Sequence, residues 1–459
     1  MKYRYREDIE MKDSGIEWLG KIPKGWNIRH LKRVLADRKE NNDPIKTNFI
    51  LSLTIEKGVI PYSEKGVGGN KAKDDLSKYK LVYPNDIVLN SMNVIVGAVG
   101  LSKYFGCASP AYYMLYKINN YDDIRYYNYI FQSKLFQDNL KGLGNGIMMK
   151  QSETSGKLNT IRMRIPMDKL GIVKLPIISN REQEKIANFL DEKTSQFESI
   201  ISKKEDLIKK LEEAKKSLIS EIVTGKVKVI KNNDGYELVK RSSDDMKPSG
   251  VEWLGMIPKE WNITKLKLKT SQINRGKSPE YVEESCVKVI NQACIYWDNF
   301  KFDNVKYQDD SIKSERGKVY KNDILINSTG TGTLGRANIF EENGEYIVDS
   351  HVTIVRCLDS NYAKYLRYVL RTDIYQELIY STMVTGSTNQ IELSREGMRN
   401  MVVLNFDDLE LCYINELLEL KIQDINNTIY KTKLQIEKLK EAKQSLISEA
   451  VTGKIEILD

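Results

Sequence analysis

Histidine and cysteine are nearly missing from this chain, with two of the former (His30, His351) and five of the latter in 459 residues. The cysteines (Cys107, Cys286, Cys294, Cys357, Cys412) are odd in number, scattered and never spaced as CxxC. That argues against a zinc site or a disulfide framework and for a reducing, cytoplasmic compartment. Two histidines leave little for acid–base work. No run of about 18 apolar residues occurs and the N-terminus is polar, so neither a membrane span nor a signal peptide is expected. Catalytic signatures are equally scarce: no G-x-S-x-G elbow, no HExxH, and no Asp/Asn-Pro-Pro-Tyr/Phe, since Asp43-Pro44 runs into Ile45. The segment from Gly330 to Ala337 imitates the spacing of the phosphate loop GxxxxGK[ST], but Arg336 stands for the lysine and Ala337 for the hydroxyl. It reads instead as a tight turn, either a plain one or one whose backbone amides approach a DNA phosphate. Asp86 and Asp323 read as turn formers ahead of strands. No catalytic residue and no metal ligand is assigned.

What the chain has is duplication. Residues 179–226 carry Ile186, Leu190, Phe197, Ile201, Ile208, Leu211, Leu218 and Ile222 at gaps of three, four or seven. That spacing places all of them on one stripe of a helix. Ser179 with Glu182 fits a capping box, and Gly225 sits where a helix stops. Glu205/Lys209, Asp206/Lys210 and Glu212/Lys216 pair at i,i+4 with the acid first, as on a solvated face. The stripe returns in residues 407–459 as Ile414, Leu418, Ile425, Ile429, Ile436, Leu439 and Leu446. A shift of 228 lays 439–454 on 211–226 with 13 of 16 residues identical. Two one-seamed helices in one chain most simply bury their seams against each other, as rods roughly 65 Å long at 1.5 Å per residue.

A lead-in segment repeats as well. Residues 11–28 recur at 246–263 with 14 of 18 identical, including Ile22-Pro23-Lys24-Gly25-Trp26 and Ile257-Pro258-Lys259-Glu260-Trp261. Trp18, Trp26, Trp253 and Trp261 are expected to pack it onto a neighbour. Between lead-in and rod, each half holds short β-branched and aromatic runs broken by Gly, Asn and Asp, which read as strands with turns. Residues 83–91 match 320–328, an Asn-Asp turn before a buried strand, and elsewhere the two regions look unrelated. Each closes with an aromatic helical patch (124–140; 362–380) and a polar loop (142–156; 386–397). The predicted organisation is α+β with a pseudo-two-fold repeat: a first domain in 1–178, a rod in 179–226, a polar, turn-rich linker in 227–245, a second domain in 246–406, and a second rod with tail in 407–459.

This order, over the whole chain, resembles the specificity subunit of type I restriction–modification systems. The resemblance rests on Leu175-Pro176 followed by Glu182-Gln183, Ile186 and Leu190, and on the Ile-Pro-Lys-x-Trp boxes. The second handover, from Leu404 to Glu410, departs from it by lacking the Pro and the Glu-Gln pair. The resemblance implies two mixed β-rich target-recognition domains, one per half of a split DNA sequence, separated by an antiparallel coiled coil acting as a ruler. It also implies a non-catalytic subunit that binds double-stranded DNA, two methylation subunits and, through them, restriction subunits. No cofactor is implied on this chain itself; S-adenosylmethionine, ATP and Mg are expected on the partner subunits.

The net charge of +8, from 71 basic against 63 acidic residues, leans only weakly towards a polyanion. Base reading asks for Arg, Lys, Asn or Gln on loops and strand ends. Candidates in the first domain are Lys57, Lys65, Asn70, Lys71, Lys73, Asn93, Lys150 and Gln151. In the second they are Asn274, Arg275, Lys277, Asn291, Gln292, Thr331, Thr333, Arg336, Ser387, Asn389 and Gln390. A coiled-coil scaffold with protein-binding domains is the alternative reading, and a stand-alone enzyme comes third.

Overall fold

The computed structural model describes residues 2–66, 71–144, 164–312, 315–330, 332–386 and 391–458. It divides into two compact units, residues 1–205 with 433–459, and residues 206–432. Four helices organise them: α1 (Ile124–Gln132), α2 (Asn180–Val223), α3 (Ser360–Arg371) and α4 (Asp408–Val451). The two rods expected from the stripe are α2 and α4, each of 44 residues.

The first unit holds an antiparallel sheet of β1 (Leu35–Asp37), β2 (Ile87–Asn90), β3 (Val99–Leu101) and β4 (Tyr112–Lys117), in the order β3-β2-β4-β1. The second unit holds β5 (Thr270–Arg275), β6 (Ile324–Asn327), β7 (Ala337–Ile339) and β8 (Val352–Cys357), in the order β7-β6-β8-β5. The two orders are the same, so regions that look unrelated in sequence share one sheet. The matched turn before β2 and β6 explains part of this. Asn85 and Asn322 take φ of 68° and 71° there, a left-handed bend that Asn tolerates. Asp86 and Asp323 are buried, and their carboxylates accept from the amides of Tyr83 (2.9 Å) and Tyr320 (2.7 Å). Arg38 and Arg356 each make two hydrogen bonds to that aspartate and stack on the turn tyrosine. Both carboxylates are thereby occupied as turn closers. The units differ in the second layer. Beside the shared sheet, the first carries the pairs Leu51–Thr54 with Gly58–Pro61 and Lys80–Val82 with Gly106–Ala108. The second carries a further four-stranded sheet in which Val287–Ile290 runs parallel to Tyr346–Val348.

Within each unit, one half of α2 lies antiparallel to one half of α4. Glu198–Lys443 (2.7 Å) and Lys204–Gln435 (2.7 Å) mark the register in the first unit, and Lys215–Asn426 (2.9 Å) marks it in the second. Ile186, Leu190, Ile414, Leu418, Ile429 and Ile436 are buried. Phe197, Ile201, Ile208, Leu211, Leu218, Ile425, Leu439 and Leu446 are half-buried, because a single partner helix covers a seam from one side only. The helix ends dock on the lead-in segments. Gly225 (φ +73°) lies against Pro258 and Trp261, and Gly453 (φ +72°) against Pro23 and Trp26. The aromatic helices lock the same ends, with Tyr126 of α1 donating to the carbonyl of Val451 (3.3 Å) and Tyr365 of α3 to that of Val223 (2.7 Å).

Three expectations need correction. Ser179 does accept from the Glu182 amide (3.3 Å), but the Glu182 carboxylate takes the Trp26 indole N–H (3.1 Å) and Arg6 (3.0 Å). A buried indole and a half-buried cation are stronger claims on that carboxylate than one helix-end amide. The second handover, in turn, keeps its glutamate. Glu410 holds the Trp261 indole (2.8 Å) and Arg241 (2.5 Å) just as Glu182 holds Trp26 and Arg6. Gln183, which bonds Asp123, Asp122, Tyr127 and Ile178, is exchanged for a buried Leu411, and Pro176 for Leu404 at the same register position. Third, the stretch taken as a polar linker is an ordered hairpin, Val227–Asn232 with Gly235–Lys240. Its Val229 is buried, since alternation puts one face inward. Its counterpart in the first unit is the pair Tyr3–Tyr5 with Ile455–Ile457, which joins the two ends of the chain without a turn. Among the described residues no helix is long and apolar enough to cross a membrane.

Candidate nucleic-acid interface

In the first unit the basic candidates sit on the second layer. Lys57 is exposed at the tip between Leu51–Thr54 and Gly58–Pro61, its amide held by the Thr54 hydroxyl (3.0 Å). Lys65 lies 5.4 Å from the Tyr62 ring centroid. Lys71 and Lys73 are exposed on a segment tied down by tyrosine hydroxyls: Tyr62 accepts from the Ala72 amide (2.9 Å) and Tyr79 from that of Lys73 (3.1 Å). Asn93 is half-buried, and its carbonyl closes a turn by accepting from Val96 and Ala98. Asn70, Lys150 and Gln151 lie outside the described residues, as do Thr331, Ser387, Asn389 and Gln390 of the second domain.

In the second unit the candidates converge. A Cβ on Gly276 would run into the carbonyls of Val348 and Asp349, so only glycine lets the end of β5 press against the turn that leads into β8. The close approach brings Arg275 Nε to the Ser350 carbonyl (3.0 Å) and Ser278 Oγ to Ser350 Oγ (3.5 Å). Arg275 also pairs with Glu392 (2.9 Å). Lys277 is exposed beside them, and Asn274 is half-buried in β5 opposite Ile354. The β6–β8 register sets Asn327 opposite Val352, which places Thr329 against His351, with Thr329 Oγ1 2.8 Å from His351 Nδ1. Gln292 completes the group, its Oε1 accepting from Thr329 (3.3 Å) and its carbonyl from Asn327 (3.1 Å).

Beneath this group, burial pushes the Asp349 carboxyl above its ordinary range, against the lowering effect of the His351 amide and of the nearby cations Lys306 and Arg275. Three candidates turn inward. Asn291 spends its amide on Asn304 and Ala293. Thr333 bonds the carbonyls of Thr329 and Gly330, and Arg336 reaches the Ile295 carbonyl and stacks over Tyr296. Among the described residues the Gly330 turn runs into strand β7 and not into a helix, so it offers no helix N-terminus to a phosphate. Thr329, Ser350, His351 and Glu392 escaped the sequence reading, because only strand register brings them together. The group offers donors and acceptors held by backbone and hydroxyl contacts, which suits recognition of a polar edge. Among the described residues no three His, Cys, Asp or Glu side chains cluster as metal ligands.

No protein-family model matches the chain. In sequence it is 21% identical over 290 residues to a protein of Methanocaldococcus jannaschii described as "Putative type I restriction enzyme MjaX specificity subunit". That match covers 57% of this chain and 56% of the relative, so the chain spans about half the length of the curated relative it matches. In structure it is similar to a chain from work on complex assembly and conformational transition of the type I restriction–modification system. There the TM-score is 0.66 and the identity 13%, over 94% of this chain and 99% of the other. A crystal structure of the HsdS subunit from Thermoanaerobacter tengcongensis aligns at a TM-score of 0.49 and 13% identity, over 96% and 99% of the two chains. The chain is thus similar in sequence to a protein described as a type I specificity subunit, and its α+β fold of two long helices and two sheet-based units is similar to that of a chain from a type I restriction–modification system.

Proposed function

We propose that this chain is the DNA-recognition subunit of a type I restriction–modification complex, working in the cytoplasm without catalysis of its own. Each sheet-based domain reads one half of a split target, and the paired helices set the spacing of the halves and dock two methylation subunits. Restriction subunits join through those. S-adenosylmethionine, ATP and Mg belong to the partners, where the chemistry takes place. The observation that carries this reading is the pairing of sameness and difference: lead-in segments, helices and primary sheets are repeated, while the second layers and polar loops differ. Two unlike readers on like frames call for a non-palindromic target, whereas two identical readers would call for a palindrome.

The test is sequencing of modified adenines in DNA from cells expressing this chain with a type I methylation subunit. A split motif with unlike halves is expected. No modification above background, with both subunits folded and associated, would overturn the reading in favour of a protein-binding scaffold. Salt dependence separates the two independently, because log K for a DNA binder falls with log salt by about 0.9 per phosphate neutralised, while a protein-only scaffold shows no duplex binding to titrate.

A further inference from the structure

Resting on that reading, we infer that His351 is a specificity-determining base reader of the second domain and Thr329 the residue that positions it. His351 is exposed in the turn just before β8, yet its backbone is fixed on both sides. Its amide donates to Asp349 Oδ1 (2.9 Å), and its carbonyl accepts from the Ser328 amide (2.8 Å). The ring is fixed as well. Gln292 Oε1 can only accept, so the single Thr329 hydroxyl proton goes to it (3.3 Å). The Thr329 oxygen then accepts from His351 Nδ1–H (2.8 Å). This relay selects the tautomer in which Nε2 carries a lone pair and no proton. Among the described residues Nε2 has no hydrogen-bond partner, and neither has Gln292 Nε2, whose protons remain to be donated.

The domain therefore presents an acceptor and a donor from one hydrogen-bonded group, beside the cations Arg275 and Lys277. In the major groove, adenine N6 and cytosine N4 are amine donors, whereas guanine and thymine show only acceptors at those places. An unprotonated His351 Nε2 selects for the amine. Thr329 acts on that choice indirectly: without its hydroxyl nothing dictates which ring nitrogen holds the proton.

The experiment is modified-adenine sequencing with the native chain, His351→Ala, Thr329→Val and Gln292→Glu, each co-expressed with the methylation subunit. The native chain is expected to give a split motif. His351→Ala should relax one position of one half from adenine or cytosine towards guanine or thymine, with discrimination there falling roughly 5- to 150-fold, the range of a good base contact, and the other half unchanged. Thr329→Val should relax the same position less. Gln292→Glu, which keeps the acceptor for Thr329 but loses the outward donor, should leave the His351 position intact. An unchanged motif with His351→Ala overturns the proposal, as does a uniform fall in modification at all sites, which marks a phosphate contact. A native chain giving no motif sinks the proposed function, a different failure. The alanine variant retains both backbone bonds of His351 and loses only the ring bond to Thr329.

Discussion

Glu182 and Glu410 show how one residue type, placed twice, carries the same task. Each carboxylate holds a buried indole and an arginine that also stacks on that indole, Arg6 on Trp26 and Arg241 on Trp261. Arg241 is 4% exposed, with Glu260 as its other acid. Removing Glu410 strips the Trp261 indole of its acceptor and leaves the buried Arg241 with only the exposed Glu260, so Glu410→Ala should destabilise the chain by about 3 kcal/mol, read as a lowered urea midpoint. Glu182→Ala should cost about 1 to 2 kcal/mol, because its Arg6 is more exposed. Equal losses would mean that the indole bond, not the arginine, dominates. Asp298 makes a second, pH-dependent case. Burial would raise its carboxyl, but the Arg371 hydrogen bonds and the charge of Lys215, which is 1% exposed, hold it below the ordinary range. Stability from a depressed carboxylate is present above its unfolded value near about 4 and is lost as pH falls through the native one. Asp298→Asn should therefore cost about 1 kcal/mol at pH 7, allowing for solvent screening. That difference should close below about pH 4, and a gap persisting at low pH would contradict the assignment.

At the scale of elements, each long helix ends in a Val-Thr-Gly-Lys turn whose glycine is left-handed and abuts a proline and a tryptophan of a lead-in segment. Gly225→Ala and Gly453→Ala meet both a φ penalty of about 1 to 2 kcal/mol and a clash with ring atoms. Each should lower stability by about 3 kcal/mol, whereas alanine at Gly250, where the space is open, should cost only the φ penalty. Thermal unfolding of the three variants gives the comparison. The apolar stripe of both helices was legible from spacing alone, because a 3.6-residue period needs no knowledge of the partner. The hairpin Val227–Asn232 with Gly235–Lys240 was not, since its polar composition reads as a turn-rich connection until a neighbouring core covers Val229.

For the whole molecule, the repeat closes on itself: the strand after the second helix pairs with the strand before the first lead-in, as the hairpin does between the halves. If the paired helices set the gap between half-sites, four residues added to both, at matching positions in the half-buried stretches, lengthen each by roughly 6 Å, worth about two base pairs of duplex. The methylated motif should then keep both halves and gain spacer. An unchanged spacer would show that the helices join the domains without measuring between them.

The sequence by itself determined the duplication, the two long helices with their seams and the packing role of the lead-in tryptophans, because each is written in residue identity and spacing along one stretch of chain. Only the tertiary structure decided that the dissimilar domains share a sheet order, that Glu410 answers Glu182, and that Thr329, His351 and Gln292 meet. Those facts depend on strand register and on contacts between residues 22 to 176 positions apart in the chain. A sheet tolerates almost any apolar alternation on its strands, so sequence can diverge while the order persists. A hydrogen-bonded cluster exists only once backbone packing, such as that permitted by Gly276, has brought its members into range.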